Sequence, residues 1–245
     1  MDVFIDIETI PGQDSLESYL EDARENFRAP SGLTKEQAAK DLGITEAKTI
    51  KFTSKDQMLA DWVEAFRDTK ADEVAEQNWR KEGLDGGKGE VICLAFVVSG
   101  KTYSYSRSLV ESDYGLLASA FEDLAALTNG RPAFFIGHNI RFDLKFLYRR
   151  HVVLDLPPAL RLPFSGRHGK DYYCTMEAWC GYGEKISQDA LAAILGLPQK
   201  PDGIDGSKVW DFVKAGKIDE VAEYNRYDAE TVEAIYRRQT FLPSA

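Results

Sequence analysis

Four carboxylates and one phenol stand out in this chain by type and spacing. Asp6 and Glu8 lie two apart in the run Val3-Phe4-Ile5-Asp6-Ile7-Glu8-Thr9. Asp143 follows Gly137-His138-Asn139-Ile140-Arg141-Phe142, and Tyr224 and Asp228 stand four apart near the far end. Carboxylates that share one site repel and desolvate each other, an expensive arrangement unless a cation sits between them. All-oxygen ligands suit Mg²⁺ or Mn²⁺ rather than zinc. A pair of such ions, gathered by acids from separate elements, serves to activate water against a phosphodiester. Metal-dependent hydrolysis of nucleic acid is therefore the chemistry to expect of these residues.

That chemistry needs elements that bring the five together. Residues 2–7 alternate between apolar and acidic and predict a strand, on which Asp6 and Glu8 emerge on the same face. Asp2 shares their parity but opens the strand and is expected to miss the cluster. Residues 133–137 predict a buried strand and residues 140–150 a helix, with Asp143 in its first turns. A strand's carboxyl end feeding a helix is where open α/β sheets place their sites. Phe142 and Phe146, four apart, are expected to pack and pin Asp143. Tyr224 and Asp228 share one side of a helix over residues 218–240. Each motif alone has a plain reading: an acidic strand edge, an acid favouring a helix N-terminus, a surface Tyr–Asp contact. Their joint occurrence in this order carries the functional reading.

The remaining elements define the frame. Helical patterns cover residues 14–27, 35–42 (with Thr34 as cap and Gln37 at capping-box spacing) and 54–83. Trp62, Phe66 and Trp79 in the last stretch read as a helical core rather than as platforms for bases. Residues 89–106 predict a β-hairpin turning at Ser99-Gly100-Lys101, and residues 112–127 a helix. A loop over 154–170 and helices over 187–195 and 207–214 complete the chain. Setting residues 11–88 aside as a helical insertion leaves a three-stranded meander followed by α-β-α. That is the plan of a ribonuclease-H-like α/β fold, a mixed sheet flanked by helices, with its core over 1–10 and 89–240 of a single 1–245 domain.

Composition agrees with a globular protein: 245 residues, 44% hydrophobic and 29% charged. A formal net charge of −10 argues against a broad basic face that coats duplex nucleic acid. It leaves room for an enzyme that grips one chain end, where bound cations supply the positive charge. Between Arg141 and Lys170, seven basic residues (Arg141, Lys145, Arg149, Arg150, Arg161, Arg167, Lys170) face only Asp143 and Asp155, and are expected to form a strip meeting phosphates. Cys93, Cys174 and Cys180 are too few and scattered for a disulfide framework or zinc site. With no membrane-length apolar run and no signal-peptide pattern, the expected location is cytoplasmic.

Taken together, Asp6-Ile7-Glu8-Thr9, Gly137–Asp143 and Tyr224-Asn225-Arg226-Tyr227-Asp228 resemble the three motifs of the DEDD superfamily of 3′–5′ exonucleases, in its tyrosine-bearing branch (DEDDy). The chain is most similar to stand-alone bacterial and phage exonucleases related to the proofreading domain of family-B DNA polymerases. Ile10-Pro11-Gly12, Ser187–Pro198 and Asp202–Val209 add to that likeness, which covers the core and little of the insertion. Cys174-Thr175 departs from it, since many relatives carry Asp-Thr there. The resemblance implies two divalent ions, with Asp6 between them, Glu8 and Asp228 on the nucleophile side and Asp143 at the second ion. Tyr224 would orient the attacking water, where the sister branch uses histidine. The backbone at Thr9 and Ile10 would hold the terminal nucleotide, and Asn139 would approach its sugar or phosphate. Arg141, Lys145 and Lys170 are expected further contacts, whereas His138 reads as a strand-end hydrogen-bonder. The implied activity releases nucleoside monophosphates from the 3′ end of DNA, with single strands preferred. An RNA 3′–5′ exonuclease is an alternative reading. A catalytically silent nucleic-acid-binding module is another, opposed by the presence of all five side chains. A polymerase domain cannot fit in 245 residues, so a proofreading role would need a replication or repair partner.

Overall fold

The computed structural model describes residues 1–198 and 204–243. Asp202 and Gly203, counted in the family likeness, lie outside the described residues. The chain divides into two compact units, Met1–Pro11 with Glu82–Ala245, and Gly12–Lys81. No helix among the described residues is long and apolar enough to cross a membrane.

Strand β1 (Asp2–Ile10) opens the first unit and runs three residues beyond the expected end. The second unit then holds α1 (Leu16–Glu25), α2 (Lys35–Asp41), α3 (Ala47–Phe52) and α4 (Lys55–Arg80). Thr34 and Ser54 cap α2 and α4 by accepting the amides of Gln37 and Gln57. Ala38, Ala39, Met58 and Trp62 form its core, with Phe27 stacked on Trp62 at 5.9 Å. Trp62 and Trp79 are buried and spend their indole N–H groups on Asp41 and the Gly12 carbonyl. They are core residues, as the helical spacing predicts.

The first unit resumes with β2 (Glu90–Val98) and β3 (Lys101–Ser106). Ser99 and Gly100, at φ 53° and 73°, make the tight turn between them. Next come α5 (Asp113–Thr128), β4 (Phe134–Gly137) and α6 (Arg141–Val153). Strand β5 (Tyr172–Cys174) and α7 (Thr175–Cys180) follow a long loop, and neither was expected. Helices α8 (Gln188–Ile194), α9 (Val209–Lys214) and α10 (Ile218–Gln239) complete the chain. The sheet order is β3-β2-β1-β4-β5, antiparallel across the first three and parallel from β1 through β5. This is the ribonuclease-H-like mixed sheet flanked by helices, with β5 as one additional edge strand.

Strand parity sorts the layers. Val3, Ile5 and Ile7 join Leu94 and Phe96 in the main core with Leu117 of α5 and Leu144 and Leu147 of α6. On the opposite face Phe4 packs with Ala229 and Val232 of α10, and Ile10 packs with Val221 and with Val209 and Val213 of α9. Helix α10 therefore runs antiparallel along the even face of β1, anchored by apolar contacts at both ends. Asp6 and Glu8 lie between those anchors.

Two residues of the expected basic strip are committed to acids of the protein. Arg150 is buried and holds Asp113 of α5 through two 2.8 Å bonds, and Arg149 pairs with Asp85. Arg150 lies seven residues from Asp143, two helical turns, so both point into the protein.

Candidate active site

The even face of β1 carries the site. Oxygens of Asp6, Glu8 and Asp228 all lie within 4.8 Å of one another. Glu8 and Asp228 are buried and Asp6 is half-buried. Asp2, at the exposed start of the strand, stands apart and faces Tyr236. At Glu8 the pairing of β1 with β2 slips: Glu8 faces Cys93 while Thr9 faces Val91. Ile92 is the extra residue of this bulge, a device sheets use to re-aim side chains beside sites.

Asp143 enters from another direction. Strand β4 pairs with β1 only over Asp2–Phe4, so the backbone of β1 beyond it is free to meet the next helix. Gly137 permits the tight exit: a Cβ there would come within 3.0 Å of the Ile140 side chain. Asn139 takes a left-handed φ of 57°, and α6 begins at Arg141. Asp143 is buried, and its carboxyl accepts the Ile7 amide. Phe142 and Phe146 pack at 5.7 Å beside it, as expected.

The electrostatics are those of crowded, buried acids. Burial raises the Asp6 carboxyl well above the usual carboxylate range, and the charges of Glu8, Asp228 and Asp143 add to the rise. Burial lifts Asp143 to about 7. Three acids held this close, with the charge of a fourth bearing on Asp6, are a poor design for a metal-free fold and a fitting one for divalent cations. Burial and the Asp228, Glu8 and Asp6 charges raise the Tyr224 phenol, which donates a hydrogen bond to Asp228. Without metal, Tyr224 therefore keeps its proton at neutral pH and spends it on Asp228.

Two amides that sequence reasoning missed hold the acids in place. Asn225, fully buried, donates to Asp6 Oδ2 at 2.7 Å. Gln188 Nε2 donates to Asp228 Oδ1 at 3.0 Å and to its backbone oxygen at 3.1 Å. Such outer partners fix ligand orientation. A signal for Asn225 exists in its spacing of three from Asp228; none marks Gln188.

The other anticipated residues are placed as follows. His138 bonds Thr175 Oγ1 at 2.9 Å and the Ile186 carbonyl at 2.8 Å, the strand-end role expected of it. The Thr9 hydroxyl donates to the Gly83 carbonyl, and the Ile10 side chain is core, so only their backbone could meet a ligand. Asn139, Arg141 and Lys145 are exposed at the start of α6. Lys170 precedes β5, whose first residue is level with Phe135 and Val3. It thus lies toward the far end of the sheet from Asp6 and Glu8.

Burial of these acids dictates a pH dependence. A carboxyl raised from 3.8 to about 7 adds stability below its ordinary value and loses it as pH rises through 7. Without metal, melting temperature should therefore fall between pH 5.5 and pH 8 relative to Asp143→Asn. The comparison with that variant cancels His138 and His151, which burial holds low and whose effect has the opposite sign. Added Mn²⁺ should raise the melting temperature more at pH 8 than at pH 5.5, because ions bind ionised carboxylates. At a hundredfold excess over Kd the gain is about 2.7 kcal/mol. Calorimetry showing no metal-dependent shift at either pH would contradict a cation site.

The fold and site define an α/β protein with a buried, cation-competent carboxylate cluster at the centre of a mixed sheet. Residues 164–243 match the model of a family described as a predicted 3′–5′ exonuclease related to the exonuclease domain of PolB. That segment contains Gln188, Tyr224, Asn225 and Asp228; Asp6, Glu8 and Asp143 lie outside it. No curated protein matches the chain. Among solved structures, the family B DNA polymerase of the hyperthermophilic archaeon Pyrobaculum calidifontis aligns at 16% identity with a TM-score of 0.49, covering 64% of this chain. The chain spans 22% of that polymerase's length.

Proposed function

We propose that this protein is a metal-dependent 3′–5′ exonuclease of the tyrosine-bearing DEDD type, acting through the core at 1–10 and 89–240. The convergence of Asp6, Glu8 and Asp228 within 4.8 Å, beside the buried Asp143 carboxyl, carries the reading. The match of residues 164–243 to an exonuclease-related family supports it. DNA 3′ ends, single-stranded by preference, are the proposed substrate, and nucleoside monophosphates the product.

Asp6, Glu8, Asp143 and Asp228 would hold two divalent ions, Mg²⁺ or Mn²⁺. Bound there, such ions supply an ionised water at neutral pH and offset charge on the leaving oxygen. The chain's own residues do the rest. Asn225 and Gln188 keep one oxygen each of Asp6 and Asp228 occupied, which restricts how those carboxylates turn. The Ile7 amide does the same for Asp143. Tyr224, with its proton retained, offers a fixed hydrogen bond beside Asp228 to orient the attacking water. Asn139, Arg141 and Lys145, exposed at the start of α6, are the proposed phosphate contacts.

End-labelled single-stranded DNA and RNA, each incubated with Mg²⁺, Mn²⁺ or chelator, test this directly. Stepwise shortening from the 3′ end of DNA, dependent on metal, is the expected result. RNA shortened faster than DNA would reassign the substrate, and no shortening of either would overturn the enzyme reading. Tyr224→Phe should lower kcat by about a hundred- to a thousandfold, the usual scale for losing one positioned donor. Metal binding should persist in calorimetry, since no ligand oxygen is lost, weakened by at most about a hundredfold through the lost hydrogen bond to Asp228.

A further inference from the structure

Between α7 and α8 the chain makes a loop, Gly181-Tyr182-Gly183-Glu184-Lys185-Ile186, whose central ring is 88% exposed. Gly181 and Gly183 take φ values of 81° and 92°, a backbone that favours glycine at both sides of the tyrosine. The loop is nonetheless tied down: the Gly181 amide donates to the Glu177 carbonyl, and His138 Nε2 meets the Ile186 carbonyl. Beneath the ring lies a cavity of about 270 Å³, lined among others by Asn139, Arg141, Glu177, Tyr182, Glu184 and Lys185.

The cavity opens at the end of the sheet that leads to the carboxylates. Cys174 in its wall is level with Gly137, where β4 exits toward Asp143. Three residues beyond Lys185, Gln188 donates to Asp228. Six residues of chain, at about 3.6 Å each, keep the Tyr182 Cα within about 22 Å of the Gln188 Cα. We propose that this groove is a subsite for single-stranded nucleic acid, with Tyr182 stacking on a base upstream of the scissile phosphate. The assignment rests on the exonuclease reading and adds to it the surface that holds the strand.

The lining chemistry specifies how the subsite works. Arg141 and Lys185 are matched by Glu177 and Glu184, so net charge gives the groove little pull on a polyanion. Binding there comes from the ring, which every base can use, because each presents a π face. The Tyr182 contribution is therefore sequence-tolerant and insensitive to salt. Its exposure also means that substitution there leaves the fold alone.

The test uses full-length protein, Mg²⁺, and a 5′-labelled single-stranded oligodeoxynucleotide protected by a 3′-terminal phosphorothioate, with affinity read by fluorescence anisotropy. Tyr182→Ala should weaken binding at least about fivefold, the lower end of the range for one base on an aromatic ring, and by the same factor at low and high salt. Tyr182→Trp should retain wild-type affinity. On unprotected DNA the loss should fall on KM, with kcat within about twofold. Wild-type protein that shortens DNA while Tyr182→Ala binds and turns over like it would overturn the subsite alone. Wild-type protein that neither binds nor shortens DNA would overturn the exonuclease reading and the subsite with it.

Discussion

Asp6→Asn should abolish hydrolysis, by at least about a thousandfold, because the charge removed stabilises the transition state by several kcal/mol. Asp6 is the centre of the cluster: the charges of Glu8, Asp228 and Asp143 all bear on it, and Asn225 is bonded to it. The same substitution should leave the fold intact and raise the metal-free melting temperature. A raised carboxyl pKa records a cost of ionisation in the folded state, and an amide removes that cost. The two effects thus have opposite sign, which distinguishes a cation site from a structural acid. Robust DNA shortening by Asp6→Asn, or a fall in its metal-free stability, would contradict the assignment.

Asp113→Ala should be the most damaging change outside the site, costing about 3–5 kcal/mol as expected when one member of a buried ion pair is removed. Asp113 accepts from both Arg150 nitrogens at 2.8 Å and from the Val91 amide at 3.0 Å. Val91 faces Thr9 across the bulge that follows Glu8, and the Arg107 side chain bonds the Val91 carbonyl from the other side. Removing Asp113 strands the Arg150 charge and frees the amide where the bulge is held. Denaturant unfolding of Asp113→Ala measures the cost. The pair Asp113→Leu with Arg150→Met should recover only part of it, since no charge is then left unpaired but the Val91 amide still lacks its acceptor. Loss of less than about 1 kcal/mol in the single variant would mean that this pair holds nothing.

The placement of Asp6 with Glu8 and of Tyr224 with Asp228 was legible because each pair lies within one element. Two residues on a strand share a face, and four on a helix share a side. Those rules place Asp6 with Glu8, and Tyr224 with Asp228, before any tertiary contact is known. The frame was legible for the same reason: Thr34 caps α2 as its spacing suggests, and Ser99-Gly100 turns the hairpin. Strand β5 escaped because three residues carry too little periodicity to register. Arg150 was misplaced in the basic run after Asp143 because charge was counted along the sequence. Helical spacing alone puts Arg150 on the buried side with Asp143, Leu144, Leu147 and His151.

What the sequence determined by itself is the local geometry: which side chains leave an element together, and hence which acids could act as a set. What the tertiary structure decided is their meeting. Apolar contacts at Phe4 and Ile10 lay α10 along β1, and the shortness of β4 gives Asp143 the Ile7 amide. The restraints from Asn225 and Gln188 belong to this second group, because a hydrogen bond spanning 219 or 40 residues leaves no periodic trace in the chain. Spacing is a property of neighbours, whereas convergence is a property of the packed core.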